Sequence, residues 1–123
     1  MRNLMLRYHH LGIPTTEARP GERYLFEYRV HVSGYETSPY RIERMRFEEG
    51  CPLPDLVQQV PHVAFEVDDL EAALDGREVL IEPNSPSPGV LVAFVVDDGA
   101  PVELLQIDSS NALQDETGPL EKK

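Results

Sequence analysis

The chain has 123 residues, 41% of them hydrophobic, and a formal net charge of −11, which suits one domain built on a single core. Such an acidic balance argues against a nucleic-acid partner, because affinity for a phosphate backbone comes from clustered Lys and Arg. The one cysteine, Cys51, excludes an internal disulfide. No apolar run approaches the roughly 20 residues that span a bilayer, so no membrane partner is expected. The opening MRNLMLRYHH lacks a signal-peptide core, and a cytoplasmic protein is expected.

Leu4 to Ile13 reads as a strand closed by Pro14, with Tyr8, His10 and Gly12 on one face and His9, Leu11 and Ile13 on the other. Glu17 to Glu22, carrying Pro20 and Gly21, reads as a loop. Tyr24 to Ser33 is rich in aromatic and β-branched residues and reads as a second strand, and Gly34 to Pro39 as a turn. Tyr40 to Glu48 forms a third strand, with Glu43, Met45 and Phe47 on one face and Ile42, Arg44 and Arg46 on the other. A linker, 49–60, holds a short helical turn over Asp55 to Gln59.

The second half opens with the strand PHVAFEV, in which His62, Ala64 and Glu66 share a face. Asp68 with Glu71 three residues on predicts a capped helix with a Leu70, Ala73, Leu74 stripe, ended by Gly76. Glu78 to Glu82 reads as a strand, PNSPSPG as a loop, and Val90 to Val96 and Val102 to Ile107 as a hairpin around Asp97-Asp98-Gly99. From 108 to 123 the chain is polar and unpatterned, which predicts a disordered tail. The division is thus a first module at 4–48, the linker, and a second module at 61–107.

Two histidine–glutamate pairs recur across the halves: His10 and Glu43 lie 33 positions apart, His62 and Glu103 lie 41 apart. Each joins a neutral nitrogen ligand to an anionic oxygen ligand, the set that binds a divalent metal and leaves coordination positions open. Taken alone, a strand histidine is more often an ordinary half-buried residue than a ligand, and the repeat is what favours ligation. Glu103, flanked by Val102 and Leu104, is costly to bury unpaired, which a metal would relieve. Tyr8 shares the face of His10, Met45 and Phe47 that of Glu43, and Glu66 that of His62, so these four are candidate pocket residues. His9 is placed for core contact or support of a ligand. His31 matches no motif, and Cys51 has no histidine beside it in sequence to activate it.

The stretches HHLGIPT, PHVAFEVDDLEAAL and AFVVDDGAPVELLQI resemble the vicinal oxygen chelate superfamily, which includes glyoxalase I and methylmalonyl-CoA epimerase. The resemblance implies an α+β fold, two βαβββ modules forming a cupped mixed sheet, with a divalent metal held by His10, Glu43, His62 and Glu103. The first module departs from the pattern: EARPGERY carries no helical stripe, and a missing strand is a further expectation. Arg44 and Arg46 then lie on a face that the helix would cover, so that face is expected to be open or to be covered by a second subunit in a homodimer.

A metal with two imidazoles and two carboxylates is nominally neutralised and acts as a Lewis acid on a chelating substrate. Resemblance to glyoxalase I gives Glu103 or Glu43 the role of base, with an enediolate intermediate. The reading is a metal-dependent lyase or isomerase of the glyoxalase or epimerase type acting on a small vicinal-oxygen metabolite. The alternative is a non-catalytic small-molecule-binding protein of the drug-sequestering kind, and an extradiol-type dioxygenase ranks lowest because Glu43 would occupy a position that oxygen needs. Nickel, zinc, cobalt, manganese and iron all suit the ligand set.

Overall fold

The computed structural model describes residues 5–108, and all but the first residue of the tail expected from 108 onward lies outside them. Eight strands and two short helices follow in the order β1 (Arg7–Pro14), β2 (Arg23–Leu25), β3 (Val30–Ser33), β4 (Ile42–Phe47), α1 (Asp55–Gln59), β5 (His62–Glu66), α2 (Leu70–Leu74), β6 (Glu78–Ser87), β7 (Val90–Asp97) and β8 (Ala100–Ile107). They form one mixed sheet, β2-β3-β4-β1-β5-β8-β7-β6. Each module closes on a parallel pair, β1 with β4 and β5 with β8, and the modules join through the antiparallel β1–β5 pair.

The sheet curls until its ends meet. Tyr28, in the turn between β2 and β3, donates its hydroxyl to Asn84 Oδ1 in β6 at 2.9 Å, although β2 and β6 are the opposite edges of the sheet. Two apolar clusters cover the second module: Val57, Val92, Phe94 and Leu105 towards the inside of the cup, and Val67, Leu70, Ala73 and Val95 under α2. A third, Val30, Val32 and Met45, lines the inside of the first module. Sandwiching on both faces explains why β7 reads VLVAFVV rather than as a simple alternation.

Several local expectations are revised. The second strand splits into β2 and β3 around Phe26–Arg29, so no strand of the first module is missing. None of those four residues is a usual turn former, and Arg29 turns the chain with φ 54°, held by Glu48 N–H donating to its carbonyl at 2.9 Å. PNSPSPG is not a free loop: β6 runs through it to Ser87, paired irregularly with β7, and its prolines are tolerated because β6 is an edge strand. The cap of α2 is Asp69, which accepts from Ala72 N–H, because Asp68 is engaged by Arg7 at 2.9 Å.

Between β1 and β2 the chain runs without a helix, as expected, but the outer face of the first module carries a polar cluster. Arg46 donates twice to Glu22, at 2.9 and 2.7 Å, and Glu48 meets His31 at 3.0 Å and Tyr24 Oη at 2.9 Å. The bidentate Arg46 contact holds the Glu22 carboxyl down to about 2. A carboxylate lowered in the folded state stabilises above its unfolded pKa and loses that contribution as pH falls through the folded value. Glu22→Gln should therefore lower the melting temperature at pH 5–7, and the gap to wild type should close between about pH 4.5 and 2; a gap that persists at pH 2 would contradict the assignment.

Candidate metal centre

The four central strands carry the four candidate ligands, His10 on β1, Glu43 on β4, His62 on β5 and Glu103 on β8. Register places a small residue beside each imidazole: Gly12 lies opposite both Glu43 and His62, and Ala64 lies opposite both His10 and Glu103. The arrangement repeats about the β1–β5 seam, each small residue two positions after its histidine. Gly12 leaves no room for a side chain, since a Cβ there would lie 2.3 Å from His62 Cε1. A strand glycine at a close approach has this meaning.

One carboxylate oxygen gathers the site. Glu103 Oε1 lies 2.9 Å from His62 Nε2 and 3.2 Å from His10 Nε2, and the two rings meet edge to face with centroids 5.4 Å apart. His10 and His62 are 6% and 2% exposed. Burial alone would raise the Glu103 carboxyl, but the two imidazoles outweigh it and hold the group well below the carboxylate range. Burial opposes charge on His10 too, yet Glu103 and Glu43 raise its pKa. His10, His62 and Glu103 present their ligand atoms within 4.8 Å of one another, two borderline nitrogens and one oxygen, which fits a divalent transition ion.

Glu43 stands beside this compact set. Its Oε1 is 3.8 Å from His10 Nε2, and burial pushes its carboxyl up, the reverse of Glu103. Behind His10, a bulge in β1 between Tyr8 and His10 brings His9 Nδ1 to 2.9 Å from His10 Nδ1. When His10 uses Nε2 as a ligand, its Nδ1 carries the proton and donates to His9; His9 then carries its own on Nε2, 3.4 Å from Tyr35 Oη. Burial and the neighbouring His10 lower His9 to about 4, so it is neutral and able to accept.

The site opens on a cavity of about 150 Å³ that Glu43, Glu103 and His10 help to line, with Met45 in the wall. Neither Tyr8 nor Glu66 lines it. The bulge shifts Tyr8 to stand opposite Phe65, away from His10, and its hydroxyl donates to Tyr40 O at 2.7 Å. Glu66 meets Arg7 at 3.5 Å, and Phe47 packs between two apolar clusters. Tyr28, one of the first-half tyrosines that the sequence reads as core or pocket wall, lines the cavity. Gly12 and Asn84 were given no role; for Gly12 the signal was present, a glycine inside a strand two residues from a histidine.

No family model matches the chain, and no curated protein matches it in sequence. Among solved structures, a hypothetical protein from Bacillus halodurans C-125 is similar with TM-score 0.60 at 20% identity, over 85% of this chain and 95% of that one. The methylmalonyl-CoA epimerase from Mycobacterium tuberculosis is similar with TM-score 0.57 at 16% identity, over 82% of this chain and 87% of that one. The chain shares the fold of these two structures, an α+β curled mixed sheet. Within that fold, this chain pairs the modules with strand orders β2-β3-β4-β1 and β6-β7-β8-β5, so the first module keeps every strand and lacks only the helix. Among the described residues, no helix is long and apolar enough to cross a membrane.

Proposed function

We propose that the chain is a divalent-metal-dependent lyase or isomerase that removes a proton beside the carbonyl of a small molecule bearing vicinal oxygens. The observation that carries this reading is the different placement of two carboxylates: Glu103 Oε1 lies 2.9 Å from His62 Nε2 and 3.2 Å from His10 Nε2, while Glu43 stands 3.8 Å from His10 on the cavity wall, where burial favours its neutral form. Environments that drive two acids apart assign them different work. His10, His62 and Glu103 hold the ion, and Glu43, on the cavity wall, takes the proton. The ion supplies Lewis acidity where negative charge develops on the substrate oxygens.

The chain's own groups do the rest. The carboxylate of Glu103 stays charged and fixes both imidazoles, His9 fixes the rear nitrogen of His10, and the apolar wall keeps water from the carbon that loses its proton. A second reading draws on one observation: the compact set is two histidines and one carboxylate, which also suits iron and oxygen chemistry. Deuterium exchange separates them. With the ion-loaded protein in D2O, hydroxyacetone or 2-hydroxyacetophenone should lose the proton beside its carbonyl faster than in buffer, and Glu43→Gln should abolish the gain. Exchange no faster than in buffer would count against the lyase or isomerase reading.

A further inference from the structure

The walls of the cavity beyond the ligands define what can occupy it. Val30, Val32 and Met45 come from the first module, Val92 and Phe94 from the second, and Val57 from α1. Five polar side chains reach the cavity: His10, Glu43 and Glu103 at the metal end, and Tyr28 and Asn84 at the clasp that joins the two edges of the sheet. Among the described residues, no Lys or Arg lines it. The nearby cation Arg23 lines a separate hollow, shared with Glu36 and with Glu43, whose charge it already meets.

The clasp has spent its donors. Asn84 Nδ2 donates to Glu82 O at 3.0 Å and to Val92 O at 3.3 Å, which fixes the orientation of its amide. The Tyr28 hydroxyl proton goes to Asn84 Oδ1. What remains for a ligand at this end is acceptor capacity on Tyr28 Oη and Asn84 Oδ1. An anionic group entering here would find no cation among the described lining residues and no free side-chain donor on Tyr28 or Asn84, and it would share the cavity with Glu43 and Glu103. Burying a charge so placed is strongly disfavoured.

We infer that the substrate of this site is uncharged, with an apolar body of about one small ring and a far end that is bare or carries a hydroxyl donor, and that acyl carboxylates and phosphorylated compounds are excluded. The size follows from the cavity, since an apolar space of about 150 Å³ is one that accepts benzene. The inference rests on the proposed reaction only for the chelating end of the substrate. Tyr28 and Asn84 are then the residues that set specificity.

The probes are three hydroxamates, whose paired oxygens chelate a divalent ion, titrated calorimetrically into protein loaded with one equivalent of zinc. Benzohydroxamate and 4-hydroxybenzohydroxamate should bind, and 4-carboxybenzohydroxamate should bind at least tenfold more weakly. Asn84→Lys, on an edge strand, should recover most of that loss. Equal affinity for the carboxylated probe, no recovery in Asn84→Lys, or acetohydroxamate binding as tightly as benzohydroxamate would overturn the inference. A metal-free arm separates it from the metal reading: benzyl alcohol should shift the methyl resonances of Val30, Val32 and Val92 in the unloaded protein, and benzoate should not. Shifts by benzyl alcohol alone in a protein that takes up no zinc would leave the cavity assignment standing and remove the metal; shifts by benzoate, or none by either, would remove the cavity assignment.

Discussion

Glutamine in place of Glu103 should weaken divalent-ion binding at least about a hundredfold, beyond the 10–100-fold typical of groups that only support a ligand. The reason lies in one atom. Oε1 of Glu103 is the nearest acceptor to both His62 Nε2, at 2.9 Å, and His10 Nε2, at 3.2 Å. Glutamine keeps the volume but removes the charge, and its amide nitrogen cannot serve where a ligand oxygen is needed. Glu43 does not replace it, because its carboxylate stands farther off, 3.8 Å from His10 Nε2. The check is a chelator competition across wild type, Glu103→Gln and Glu43→Gln. Glu103→Gln should lose the ion while Glu43→Gln keeps most of its affinity but loses proton exchange; the opposite ranking would exchange the two roles.

Gly12→Ala should both weaken the ion site and destabilise the fold, although the substitution adds a single methyl. That methyl would lie 2.3 Å from His62 Cε1 and within 2.9 Å of both ring nitrogens, closer than any real contact allows. The His62 ring cannot step aside freely, being 2% exposed, edge-on to Phe94 at 5.1 Å and tied to Glu103. Overpacking of this kind costs about 1–3 kcal/mol. We expect a tenfold or greater loss of ion affinity, together with a melting temperature several degrees lower. In a His62→Ala background the three nearest atoms to the added methyl, all of the His62 ring, are gone, so the stability cost of Gly12→Ala should largely vanish in a double-mutant cycle. An undiminished cost there would place the strain elsewhere.

Much of this site was legible because strands expose their chemistry in a period of two. His10 with Glu43 and His62 with Glu103 stood out by their repeated pairing and the family resemblance, since alternation says which residues share a face and not which face is inward, and the apolar stripe of Leu70, Ala73 and Leu74 marks α2. The missing first-module helix was also readable, from Pro20 and Gly21 without a stripe. What escaped was tertiary. The bulge at His9 reverses the face of Tyr8, and no turn signal announces it. The turn at Phe26–Arg29 lacks glycine, proline, asparagine and aspartate, so two strands read as one. Tyr28 and Asn84 meet 56 positions apart only because the sheet curls, and Arg46 finds Glu22 in a loop that sequence periodicity cannot place.

Metal content tests the central claim most directly. Protein purified without chelator or a nickel column, then loaded with a divalent ion and desalted, should retain close to one ion per chain, and Glu103→Gln and His62→Ala treated identically should retain little. Equal, substoichiometric retention in all three would show that His10, His62 and Glu103 form a buried polar cluster and not a metal centre.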